Sequence, residues 1–285
     1  MNQYDAIVIG AGHNGLTNGA YLAKAGLRVA VLERNPYIGG ATVSRELHKG
    51  WYYSNCSYVS SLLRPEITRD LELPRHGLQV VPFGGGATFM RNGDHFGTYA
   101  DHDRHYREIA RHSKRDANAY DRYAADTSLQ TKLIRPYLMR TPPDPTSLKP
   151  RDLRDLMEFA QSFMSLGEEK LLDTIKFWTA SVGDYLNEYF ETDVIKAHMA
   201  GSGIIGTALG VYSPGTAYVL LHHYMGDVDG NVGAWGFARG GMGAIASALS
   251  KAFQSFGGDI ICDANVDEII VRNGRAVGVA LKDGT

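Results

Sequence analysis

Three glycines, Gly10, Gly12 and Gly15, followed by Glu33, are the residues of this chain whose spacing is best suited to chemistry. That chemistry would be the grip on a phosphate-rich ligand. In a G-x-G-x-x-G turn the first glycine permits the sharp bend from strand to helix, the second lets backbone approach a pyrophosphate, and the third lets the helix pack closely on the strand. A helix opening there faces the anion with the unpaired N–H groups of residues such as His13 and Asn14. Glu33 lies about 20 residues past the glycines, where a carboxylate would meet a ribose 2′-OH.

A chain with 33 glycines contains such spacings by chance, so the flanking elements decide the matter. Tyr4 to Ile9 has the continuous apolar centre of a buried parallel strand, and Leu16, Ala20 and Ala23 give the following helix one apolar stripe up to its close at Gly26. A second strand, Arg28 to Leu32, ends at Glu33. Arg34 follows, and Pro36-Tyr37-Ile38 leads to Gly39-Gly40-Ala41-Thr42. Turn composition alone reads this as a loop. A second glycine pair just beyond the acidic residue resembles that of flavoproteins in the glutathione-reductase and amine-oxidase class, and points to FAD rather than NAD.

Length and apolar content allow a sizeable core in one large or two ordinary domains. A net charge of −2 gives no electrostatic footprint for nucleic acid or an anionic membrane. One basic stretch, from Arg104 to Arg122, reads first as a solvated helix face and second as a lure for an anionic substrate. Cys56 and Cys262 lie far apart without a C-x-x-C pair, which argues against a disulfide scaffold or dithiol redox centre and reads both as packing residues. No metal-ligating cluster is legible. The first strand starts close to Met1, leaving no room for a leader, and no run reaches the 18 or so apolar residues a membrane span needs. The expectation is a cytoplasmic protein, or a mitochondrial-matrix one if the source is a eukaryote, with peripheral membrane contact still open.

The fold class expected is α/β: a Rossmann-like FAD/NAD(P)-binding domain carrying an inserted, largely helical α+β substrate domain. Residues 1–70 form its first part, 71–229 the insertion and 230–285 the second part. Short strands are expected at 78–81, 88–91 and 95–99, the last two about Asn92-Gly93-Asp94. Helices follow, one of them carrying Leu153, Leu156, Met157, Ala160, Phe163 and Met164 at the spacing of a buried stripe. Gly240-Gly241-Met242-Gly243 opens a further helix, then come a strand at 259–262 and a hairpin, 266–271 and 275–281, about Asn273-Gly274. The chain stops on the turn after that hairpin. An edge left unpaired in this way reads as an N-terminal fragment or one half of a split protein, whose C-terminal half or partner chain is missing.

The glycine fingerprint, Glu33, Gly39-Gly40, the run Ser57 to Pro65, the run Ser213 to His223, Gly233 to Gly236 and Gly240 to Gly243 together resemble the phytoene-desaturase-like FAD-dependent oxidoreductases of the flavin amine-oxidase superfamily. The resemblance spans essentially the whole chain. It implies FAD in an extended form, with Gly10, Gly12, Gly15 and the N–H groups of His13 and Asn14 under the diphosphate. Glu33, with Arg34 beside it, would serve the adenosine ribose; Gly39, Gly40 and Ala41 would continue along the diphosphate; the Val266 backbone would meet the adenine. Full members run on for a couple of hundred residues, which return strands and a Gly-Asp segment to the flavin ring.

In such enzymes the flavin takes a hydride from substrate, and the protein orients the two. The resemblance therefore implies a dehydrogenase or desaturase acting on an apolar small molecule. A flavin-dependent, carotenoid-type isomerase and a non-catalytic flavoprotein-like module acting through a partner are the alternatives. No catalytic residue can be assigned from the sequence. His222 and His223 are the polar candidates; read as part of a strand, they point to opposite faces, so at most one serves a site. Tyr218 and Trp235 suit an apolar pocket or plain core packing.

Overall fold

The computed structural model describes residues 3–285. The chain divides into two compact units, one comprising the chain up to Phe83 together with Gly226–Thr285, the other Gly84–Met225.

The first unit is built on a three-stranded parallel sheet. Strand β1 (Ala6–Ile9) runs through the glycine turn into helix α1 (His13–Lys24), which returns the chain to strand β2 (Val29–Leu32); Asp259–Ile261 pairs with the other edge of β2. All three strands are parallel, with Ala6 opposite Val29 and Asp259 opposite Ala30. As the middle strand, β2 is buried along its whole length. Its alternating side chains serve two faces: Val29 and Val31 pack with α1 and the helix Gly243–Ser255, through Leu16, Ala20, Leu249 and Phe253. Ala30 and Leu32 pack under Val266, Val279 and Leu281 of the C-terminal hairpin. That hairpin joins Val266–Arg272 to Arg275–Leu281 through Asn273 and Gly274, both at positive φ, as the Asn-Gly pair requires.

Two elements of this unit were not legible in the sequence. Strands β3 (Ser44–His48) and β4 (Trp51–Ser54) form an antiparallel hairpin. Its two serines close the start of the helix Gly243–Ser255: Gly243 N–H donates to Ser44 Oγ (2.9 Å) and Met242 N–H to Ser54 Oγ (3.1 Å). The Gly240-to-Gly243 turn is thus capped by the protein itself, so its N–H groups are not the free anion cradle that the first glycine turn offers.

The second unit places a short hairpin, Ala87–Phe89 with His95–Gly97, against a helical body. Three of its helices start on side-chain caps, Asp101 accepting from Arg104 N–H, Ser113 from Asp116 N–H and Ser181 from Asp184 N–H. Tyr123, Phe177, Tyr185, Leu186 and Phe190 fill the core. Asp116, fully buried, accepts from Glu191 N–H, Thr192 N–H and the Thr192 hydroxyl, and so fixes the turn into the helix Asp193–Ile204.

The expected buried stripe on the helix Pro150–Met164 is a correction. Phe163 is buried, but Leu153, Met157 and Met164 lie 42%, 61% and 72% exposed. Those three recur at i, i+4 and i+11 on one side of the helix, while Leu156, Phe159 and Phe163 hold the inward side. Periodicity located an apolar face; the broad distribution of apolar residues hid which part of it packs. The basic stretch is likewise dispersed: Arg111 pairs with Asp94 and Glu108, Arg115 with Glu191, Arg104 stacks on Tyr99, and His105 is buried.

Candidate functional site

The glycine turn after β1 is held from two sides. Gly10, at φ +99°, donates its N–H to Leu32 O (2.6 Å), a conformation that a side chain would strain. Gly15 brings α1 down onto the turn; a Cβ there would stand 2.0 Å from Gly10 O. Gly12 differs from both. Its backbone (φ −73°, ψ 170°) suits any residue, and a Cβ would meet only Gly40 Cα at 3.8 Å.

The second glycine pair lies directly against the first turn. Gly39 N–H donates to Ala11 O (2.8 Å), Gly12 and Gly39 form a parallel bridge, and a Cβ on Gly40 would come within 3.0 Å of Gly12 Cα. Two segments separated by more than a strand and a helix thus present bare backbone side by side. Ala41 extends the line, its carbonyl accepting from Ser57 N–H.

Glu33, at the end of β2, is buried and ties the arrangement together. One carboxylate oxygen accepts from Ala11 N–H (2.9 Å), the other from the Asn35 N–H (3.0 Å) and side-chain amide (2.7 Å). Burial alone would raise its pKa, but the Asn35 and Ala11 donors hold the carboxyl below its ordinary range, so the anion is the resident form. Three accepted bonds leave part of the carboxylate's capacity of about four for a ligand hydroxyl. Arg34 is exposed beside it. Val266 packs over Ala30 and Leu32, while Ala264 N–H and Glu33 N–H stitch the end of β2 to the 261–264 segment. Sequence reasoning missed Ala11 and Asn35; Asn two residues past an acid, able to reach back to it, was the available signal.

The fit to a dinucleotide diphosphate rests on three features. Helix α1 starts at Gly12 with no side-chain cap and no acid in its first turn, so its leading N–H groups await an acceptor. Nδ1 of His13 is buried without a hydrogen-bond partner. At Gly12, facing Gly40, the protein leaves Cα surface open where its own packing does not demand it.

His222 and His223 stand on the helix Thr216–Tyr224, not on a strand, and the His223 ring bonds back to Val219 O (2.9 Å); the alternation argument therefore does not apply. Tyr218 packs edge-on to Trp178 within the second unit. Both cysteines are free; Cys56 is exposed, contrary to a packing role, and burial pushes the Cys262 thiol up, away from a reactive thiolate. Cys262 lines a cavity of about 750 Å³ with Tyr37, Ser44, Arg45 and Gly240, beside but separate from the glycine cradle. No group of three or more metal-ligating side chains occurs among the described residues, and none of their helices is long and apolar enough to cross a membrane.

Fold and cradle together define a Rossmann-like dinucleotide-binding domain, and residues 8–70 match the family model described as an NAD(P)-binding Rossmann-like domain. The chain is 37% identical, over 99% of its length, to pyridine nucleotide-disulfide oxidoreductase domain-containing protein 2 of Mus musculus, and covers 51% of that protein. It is 22% identical over 99% of its length to the 4,4'-diapophytoene desaturase (4,4'-diapolycopene-forming) of Methylomonas sp, covering 52% of it. Among solved structures, a triple mutant of putrescine oxidase shares the fold with a TM-score of 0.58 at 18% identity, over 99% of this chain and 55% of that one. The resemblance to the phytoene-desaturase-like oxidoreductases stands, and the chain spans about half the length of the curated relatives it matches.

Proposed function

We propose that this chain carries the FAD-binding cradle and the substrate unit of an FAD-dependent oxidoreductase of the dehydrogenase or desaturase type. The observation that carries the reading is the bare contact of Gly12 with Gly40 at an uncapped helix start, with Glu33 fixed beside it. Gly10, Gly12, Gly15, Gly39, Gly40 and Ala41 would lie along the diphosphate, with His13 and Asn14 donating to it. Glu33 and Arg34 would serve the ribose, and Val266 would border the adenine. When bound, the flavin supplies a two-electron acceptor for a hydride. This chain's own contribution is binding: neutralising the diphosphate with helix N–H groups, and orienting the ribose through a carboxylate kept ionised by Ala11 and Asn35. The substrate proposed is an apolar small molecule, in keeping with the 4,4'-diapophytoene named in the desaturase relative. The polypeptide that would complete the flavin pocket is proposed to lie outside these 285 residues, since the matched relatives are about twice as long. Flavin uptake followed by its absorption spectrum tests the cofactor; binding of NAD with no flavin would overturn it.

Glu33→Ala is expected to weaken FAD binding roughly tenfold to a hundredfold, because a hydrogen bond to a charged group contributes about 1.5 to 3 kcal/mol. Isothermal titration reads this directly, and an unchanged dissociation constant would place the carboxylate elsewhere. The same group gives a pH signature. Its folded pKa lies below the ordinary value of 4.5, so its contribution to stability is complete above that pH and is lost as pH falls through the lower, folded value.

A further inference from the structure

Three imidazoles enclose one phenyl ring in the second unit. Phe96, fully buried, has His198 at 5.0 Å, His112 at 5.8 Å and His105 at 6.2 Å between ring centres. Phe96 belongs to the strand His95–Gly97, His105 and His112 to the helix His102–His112, and His198 to the helix Asp193–Ile204. One ring thereby joins a hairpin to two helices. Nδ1 of His105 and Nε2 of His112 are buried with no hydrogen-bond partner, and His198 Nδ1 shares a 2.8 Å bond with the Thr88 hydroxyl on the facing strand of the same hairpin.

The charged groups on the surrounding elements are already committed. On the hairpin, Asp94 is held by Arg111, with His95 beside it; on the imidazoles' own helix, Glu108 is held by Arg111 and by Gly97 N–H, and His102 by Asp121. The helix Lys114–Ile134 contributes Tyr120, edge-on to His105 at 4.6 Å, and Asp121. Beside His198, Asp193 pairs with Lys196. Glu108 favours a charge on His105 but is already paired with Arg111, as is Asp94, so burial outweighs that attraction for His105, and a proton on His198 meets one on His105 at short range.

We propose that the histidines around Phe96 form an acid-released latch, which holds the 87–97 hairpin on the two helices at neutral pH and lets it go when His105 and His198 are protonated. Burial lowers the His105 and His198 pKa values, and the His198 charge adds to the effect on His105. The sign follows: with folded values below the ordinary 6.5, stabilisation by the neutral rings is complete above that pH and is lost progressively below it. The latch acts independently of any cofactor.

Hydrogen exchange of the full chain at pH 7.5 and 5.5, corrected for the intrinsic rate, tests the latch. Peptides covering 87–97 should open about tenfold more per pH unit for each ring that takes up a proton, while the Val182–Asn187 helix stays protected. The double variant His105→Phe/His198→Gln, which keeps a partner for Thr88, should abolish most of this response. If that variant does not fold, His198→Gln alone should cut it by about a factor of ten per pH unit. Equal hairpin protection at both pH values, loss of protection throughout the unit at once, or variants as acid-labile as the parent would each overturn the proposal.

Discussion

Gly12→Val is expected to abolish FAD retention while leaving the circular-dichroism spectrum and melting temperature close to those of the parent. The reason is that the protein itself does not require glycine here. The backbone angles at Gly12 are open to any residue, and the nearest atom to an added Cβ is Gly40 Cα at 3.8 Å. A side chain would instead occupy the surface on which the diphosphate is proposed to lie, separating it from the helix N–H groups. A loss of at least a hundredfold in affinity, about 2.7 kcal/mol, is expected. Flavin retained by the variant would mean that the cofactor does not cross this turn.

Gly15→Ala is expected to do the opposite, damaging the fold before any ligand is considered. Its Cβ would stand 2.0 Å from Gly10 O and 3.2 Å from Gly10 C, both backbone atoms of the turn. Relief requires lifting α1 from β1, where Leu16, Ala20 and Val8 meet. Overpacking costs about 1 to 3 kcal/mol where side chains can shift, and a clash with backbone belongs at or above the upper end. Thermal melting followed at 222 nm should show the first unit losing about 10 °C, taking about 3 °C per kcal/mol for a domain of this size. A melting temperature equal to the parent's would show that the helix does not approach as closely as described.

The contrast between these two glycines shows what the sequence could convey. Spacing placed Gly10, Gly12, Gly15 and Glu33 in one constellation, because strand, turn and helix periods fix where such residues fall; Gly39-Gly40 joined it through the resemblance to flavoproteins, since turn composition alone reads a loop there. The structure brings them together through Ala11, whose N–H and C=O serve Glu33 and Gly39. A backbone joint of this kind leaves no trace in residue type. The β3–β4 hairpin escaped notice because its strands are short and largely exposed, with Trp51, Tyr52 and Tyr53 facing solvent instead of marking a buried face. Met157 and Met164 misled for the converse reason, being apolar at core spacing yet outward-facing. His222-His223 looked like strand residues until the helix Thr216–Tyr224 set their direction.

The most direct test is an equilibrium titration of the purified chain and its Gly12→Val variant with FAD and, separately, with NAD. One FAD is expected to bind per chain, with FAD binding lost in the variant. NAD bound in preference to FAD, or equal FAD affinity for chain and variant, would contradict this.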